Sequence, residues 1–217
     1  MELFAPIMTV SSQFKSAITL FATKIHSVYK AHEVNFDMES FHGRFHIIRC
    51  LLLADCIYRF YERNSIAIAI EKSFYAILFH DAMREDNGTD LWEKESAALC
   101  YTYLINNGFD AEFATSASTI ILKANTNCLE EQVLYDVDVL DYHRFFFLPE
   151  ERHRFKDYRL KFAGPNDCSG CFDTNSRTQL IQLAQDLVIF SESLVVETDT
   201  NELIQQLVRY YLNVKPW

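Results

Sequence analysis

Along most of the chain, apolar residues return every three or four positions, the interval that lines one face of an α-helix. Residues 11–32 carry Phe14, Ile18, Phe21, Ile25 and Tyr29 at such steps. Residues 44–62 are denser, with Ile47, Ile48, Leu51, Leu52, Cys56 and Phe60 on an apolar face. The same interval predicts helices over 65–80, 91–107, 110–123, 129–147, 177–195 and 199–213. Gly108, after two asparagines, is placed to close the fourth of these, because glycine accepts the left-handed backbone that ends helices. The stretch "TDTNE" offers capping side chains for the last one. No convincing strand alternation is present. The pattern therefore predicts one all-α domain of about eight to ten helices. Residues 41–145 form its motif-bearing core, 149–176 an irregular loop or lid, and 177–217 the closing helices.

Composition narrows this picture. A chain of 217 residues, 49% hydrophobic and 23% charged, can bury a sizeable core. Only five glycines and four prolines occur, too few for a turn-rich sandwich or barrel. The net charge of -10 and the absence of a Lys/Arg run argue against a nucleic-acid polymer as partner. A local phosphate site is still compatible with that charge. No apolar run approaches the roughly 18 residues of a membrane span, and "MELFAPIMTV" lacks a secretory pattern. The expected location is the cytoplasm, with six cysteines read as reduced thiols. "CSGC" (Cys168, Cys171) has redox or metal-knuckle spacing, but without a second pair it reads as a loop with two free thiols.

Four short pieces concentrate the chemistry. They are "FHGRFHIIRC" (His42, Arg44, His46, Arg49), "FHDAMRED" (His80, Asp81, Arg84), "DLWEKESA" and "LYDVDVLDYHRF" (Asp136, Asp138, Asp141, Tyr142, His143, Arg144). His46 and Arg49 lie three apart and so share a helix face. A carboxylate at the end of an apolar helix is costly to bury unless paired or coordinated. Two histidines and two aspartates from three helices can supply mixed N/O ligation, leaving positions open for water and phosphate. Nearby arginines, with their planar donors, suit phosphate oxygens. Other uses exist for some of these residues. His42 before Gly43 can cap a turn. Glu93 and Glu95 are favoured at a helix start by the dipole alone. Asp138 can pair with Arg144 or Arg49.

In this order and on helices, the pieces resemble the HD-domain metal-dependent phosphohydrolase superfamily, which reads H…HD…D. The resemblance implies that His46, His80, Asp81 and Asp138 are the metal ligands, with Asp136 the near neighbour of the last. It implies one divalent ion (manganese, magnesium, iron, zinc or nickel). The positions where binuclear members carry further histidines hold "WEKESA" and "LKANT", with Glu93, Glu95 and Asn125. A narrower likeness is to the phosphodiesterase domain of the Legionella SidE-type effectors. That likeness implies His42 and His46 as catalytic histidines, Glu93 or Glu95 as the glutamate, and a modified protein such as ubiquitin as partner. For an effector, the site of action would be the host cytosol. The expectation is a phosphohydrolase or phosphodiesterase acting on a nucleotide or an ADP-ribose- or phosphoribosyl-derived substrate. His42, Arg49, Asp81, Arg84 and Glu95 would then be catalytic, and Arg44, Tyr142, His143 and Arg144 would bind substrate. The alternative is a non-catalytic HD-like scaffold that binds a nucleotide or a protein partner.

Overall fold

The structure is a computed structural model that describes residues 10–36, 41–86, 91–123, 128–142, 173–194 and 198–216. Among these residues it is all-helical with no strand, as the periodicity predicts. The chain opens with α1 (Ser12–Leu20), a π-helical turn (Phe21–Ile25) and α2 (His26–Asn35). Then come α3 (Arg44–Arg63), α4 (Ile70–Phe79), α5 (Glu93–Asn106), α6 (Ala111–Ile121) and α7 (Leu129–Tyr142). Two helices close the described chain, α8 (Thr174–Glu192) and α9 (Thr200–Val214).

The architecture is built around α3. Ile47, Ile48, Cys50 to Ala54 and Cys56 are fully inaccessible, so this helix is buried on several sides. A helix surrounded in this way must be covered by others. It packs against α1, α2, α4, α7, α8 and α9. The pair α5 and α6 packs outside α4. As a result, residues at the start of α3, the end of α4 and the end of α7 meet in the interior, which is where the motifs lie.

Local chemistry explains several helix ends. Ser11 caps α1 by accepting from the Phe14 amide at 3.1 Å, and Asp110 caps α6 through the Phe113 amide at 2.8 Å. Asp199 does the same for α9 through Asn201. Gly108 has φ +84, and Phe109 N–H reaches Leu104 O while Gly108 N–H reaches Ile105 O, the paired bonds of a Schellman ending. Two boundaries differ from the expectation. Helix α4 starts at Ile70 rather than at residue 65. Ser65 lies at φ 58, and burial then alternates through Ile66, Ala67, Ile68 and Ala69. That period of two is extended chain, visible in "SIAIAI" itself. Helix α8 starts at Thr174, inside the stretch read as loop, because Asp173 accepts from the Ser176 amide at 2.7 Å and caps it there. Most of 149–176, including Cys168 and Cys171, lies outside the described residues. Cys50, Cys56, Cys100 and Cys128 are free thiols.

Candidate metal centre

Three helices deliver the central group. Its first member, His46, projects from the first turn of α3. His80 and Asp81 follow directly on the last turn of α4, and Asp138 comes from the C-terminal half of α7. His46, His80 and Asp81 are all buried, and one ligand atom from each lies within 4.8 Å of the other two.

The hydrogen bonds behind the imidazoles fix which nitrogen faces the centre. His80 Nδ1 is 2.8 Å from the carbonyl of Ile77, which can only accept, so Nδ1 carries the proton. His46 Nδ1 lies 2.7 Å from Asp141 Oδ2, a carboxylate partner that again draws the proton to Nδ1. Both rings therefore turn Nε2 inward, and the two Nε2 atoms are 3.2 Å apart. Neutral imidazoles would face each other there with two lone pairs, so the arrangement calls for a proton or a cation between them. Asp81 Oδ2 is 3.3 Å from His80 Nε2 and 3.6 Å from His46 Nε2. Asp138 Oδ1 is 3.9 Å from His80 Nε2 and 3.7 Å from His46 Nε2.

These separations suit a metal ion. Two nitrogens 3.2 Å apart, each at a metal–nitrogen distance of about 2.1 Å, subtend about 100°, between the octahedral and tetrahedral angles. Hydrogen-bonded Nδ1 atoms behind the ligating Nε2 atoms are what metal-bound histidines ordinarily show. His46, His80 and Asp81 can thus hold a metal ion, with Asp138 next in reach.

The electrostatics point the same way. Burial opposes an imidazolium at His80, but the Asp81 carboxylate outweighs it and lifts the His80 pKa to about 9. Burial also opposes charge on Asp81, yet His80 holds that carboxyl well below its usual range. Without a metal, a proton on His80 supplies the positive charge the cluster requires. Cys50, one turn along α3, has Sγ 3.7 Å from His46 Nδ1. Burial, followed by the charges of Asp141 and Asp138, pushes its thiol well up, so it stays protonated.

Around this centre the sequence candidates separate. The His42 ring is buried with its centroid 6.0 Å from that of His46. Arg84 is buried, with Nη1 3.7 Å from Asp81 Oδ1 and its guanidinium 5.6 Å over the Trp92 ring. Arg49 differs from expectation. Nε and Nη2 grip Asp141 at 2.5 and 2.8 Å, and Nη1 donates to Ser191 at 2.8 Å. It is spent on orienting Asp141 instead of facing a phosphate. Arg44 also departs from its expected substrate-binding place. Its guanidinium holds Glu33 at 2.8 Å and reaches Thr198 O and Thr200 Oγ1, tying α2 and α9 to the start of α3. Glu95 is exposed on the first turn of α5, beside half-buried Glu93, where the dipole favours both. Asp136 is buried but does not join the ligand group. Of Tyr142 only the backbone is described, and His143, Arg144 and Asn125 lie outside the described residues.

Asp141 is among the sequence candidates without a role, and Lys123 is not among them. Asp141, three positions after Asp138 and so on the same face of α7, orients His46; that spacing was the available signal. Lys123 sits just past α6 with Nζ 3.1 Å from Asp138 Oδ2. Nothing in "LKANT" announces that contact.

No family model, curated protein or solved structure matches the chain, so the chemistry of the site is read from its own residues.

Proposed function

We propose that this chain hydrolyses a phosphate ester of a nucleotide, or of an ADP-ribose- or phosphoribosyl-derived substrate, at the His46–His80–Asp81–Asp138 centre. The observation that carries this reading is the pair of inward Nε2 atoms 3.2 Å apart, both rings locked through Nδ1, with Asp81 closing the group. A divalent ion held by these residues would polarise a phosphoryl oxygen and lower the pKa of bound water. In the net reaction, water oxygen adds to phosphorus, the ester P–O bond breaks, and the leaving oxygen takes a proton. His46 and His80 offer fixed lone pairs. Asp81, held well below the usual carboxylate range, is a weak proton acceptor and acts by ligation and orientation. Arg84, with its guanidinium over the Trp92 ring and beside Asp81, is the candidate to meet phosphoryl oxygens. His42 is the further imidazole in reach of the centre and the candidate for moving a proton.

The test is hydrolysis of a bis-aryl phosphodiester by H46A and D81A, with metal analysis before and after chelation. Turnover should vanish in both variants while far-UV helicity stays. Wild-type turnover in either one refutes the assignment. Incubation with ADP-ribosylated or phosphoribosylated ubiquitin, read by intact mass, then tests the effector-type substrate; an unchanged mass removes it.

One observation favours a second reading, the non-catalytic scaffold. Arg49 is consumed internally and Lys123 already neutralises one face of Asp138. A cluster so satisfied can bind a nucleotide or partner without turnover. Stoichiometric metal together with phosphodiester hydrolysis excludes it.

A further inference from the structure

Asp138 uses its two oxygens for two different positive charges. Oδ1 faces the inward nitrogens of His46 and His80, and Oδ2 accepts from Lys123 Nζ at 3.1 Å. A carboxylate that spans two cations in this way is the bridging element of two-metal phosphoryl-transfer sites, whose ions sit about 3.5–4 Å apart. The backbone under Lys123 gives a second, independent sign. Its φ is 50, in the left-handed region that glycine adopts freely and other residues enter at a cost. This turn ends α6, with the Lys123 amide bonded to Ile120 O, and glycine is the usual residue at such endings. Non-glycine residues in this conformation concentrate at functional sites. Here the side chain so placed lands on the carboxylate beside the candidate ligands, and it is buried to about the same degree as that carboxylate, at 21% and 14% exposed.

We propose that the Lys123 ammonium stands in the place of a second metal ion, making this a centre of one divalent ion and one fixed ammonium. Lys123 is then a positioning residue. It holds Asp138 with Oδ1 turned to the histidines, and by charge repulsion keeps another divalent ion out. This rests on the metal reading above. It goes beyond that reading by assigning the stoichiometry to one side chain.

The experiment is Mn2+ stoichiometry at millimolar Mn2+ on the full chain, by equilibrium dialysis with elemental analysis. Electron paramagnetic resonance of the same samples reports coupling between adjacent Mn2+ ions. Wild type and K123R should hold one ion per chain without coupling. K123M and K123G should hold two, with a coupled signal through Asp138. K123G suits the left-handed backbone, so it keeps the test valid if K123M fails to fold. One ion in wild type and also in the folded neutral variants overturns the assignment of Lys123 alone, as do two ions in wild type. No ion in wild type refutes the metal reading itself, and the assignment of Lys123 with it.

Discussion

Replacing Asp141 by asparagine tests the logic of the centre without touching a ligand. Asp141 is 1% exposed at its side chain, and its partner Arg49 is 3% exposed. It accepts two hydrogen bonds from Arg49 and one from His46. Asparagine keeps the shape, removes the charge and replaces one accepting oxygen by a donating amide. If that amide faces His46, Nδ1 must become the acceptor, and the ring proton moves to Nε2, where it blocks the metal position. Leaving a buried guanidinium without its carboxylate costs about 3–5 kcal/mol. At about 2–4 °C per kcal/mol for a domain of this size, the melting temperature should fall by roughly 6–20 °C. Metal affinity should fall by roughly 10–100-fold, as for other residues that hold a ligating histidine in place. The double variant R49M/D141N separates the two effects. Removing both buried charges should restore much of the lost melting temperature, but not the metal affinity, because His46 still lacks its acceptor. Differential scanning fluorimetry and Mn2+ titration calorimetry measure both, and nitrogen-15 NMR of labelled histidine reads the tautomer. D141N with wild-type Mn2+ affinity and an unchanged His46 tautomer refutes the reasoning.

Further outcomes follow from the same geometry. His80 has its folded pKa raised from 6.5 to about 9, so its contribution is fully present below pH 6.5 and is lost as pH rises through about 9. Metal-free protein should therefore lose up to about 3 kcal/mol in urea titrations between those pH values, and H80N should flatten the profile. Over the same interval metal competes with fewer protons, so Mn2+ affinity should rise with pH and level off near 9. R44M leaves Glu33 buried without its guanidinium and should cost about 3 kcal/mol by chemical denaturation, while folded protein keeps its KM. E95Q should leave kcat and KM within twofold of wild type, as expected for an exposed first-turn acid; a tenfold loss of kcat would return Glu95 to the site.

The parts of the fold legible in the sequence were those set by local periodicity. Ile48, Leu52 and Cys56 announce a buried helix because steps of four alone place them on one face. The stretch after Asn64 merges with α4 in the sequence because Ile66 and Ile68 satisfy a period of two yet lie too close to Ile70 to be separated from the helix. Of the site, His46, His80, Asp81 and Asp138 are implied together by the resemblance of their motifs, and the structure brings ligand atoms of the first three within 4.8 Å of one another. The fates of Arg44 and Arg49 were not legible. Both sit beside the motif histidines, and only tertiary contacts from Glu33, Asp141 and Ser191, each remote in sequence, decide that they face inward structure and not a ligand. Lys123 was hidden for the same reason: a side chain on one helix end met a carboxylate fifteen positions later.

The π turn at Phe21–Ile25 bears on the end of α4. A π turn is what one extra residue looks like when a helix absorbs it without breaking. Past that turn the helix is out of phase with its own beginning. The shifted phase delivers Tyr29, whose hydroxyl donates to the Leu78 carbonyl at 2.8 Å, two residues before His80. Deleting one residue there would straighten the rod and swing every later side chain by about 100°. Tyr29 would leave the peptide that leads into His80 and Asp81. A single-codon deletion more than fifty positions before His80 would thus loosen the candidate metal centre without altering any residue in it.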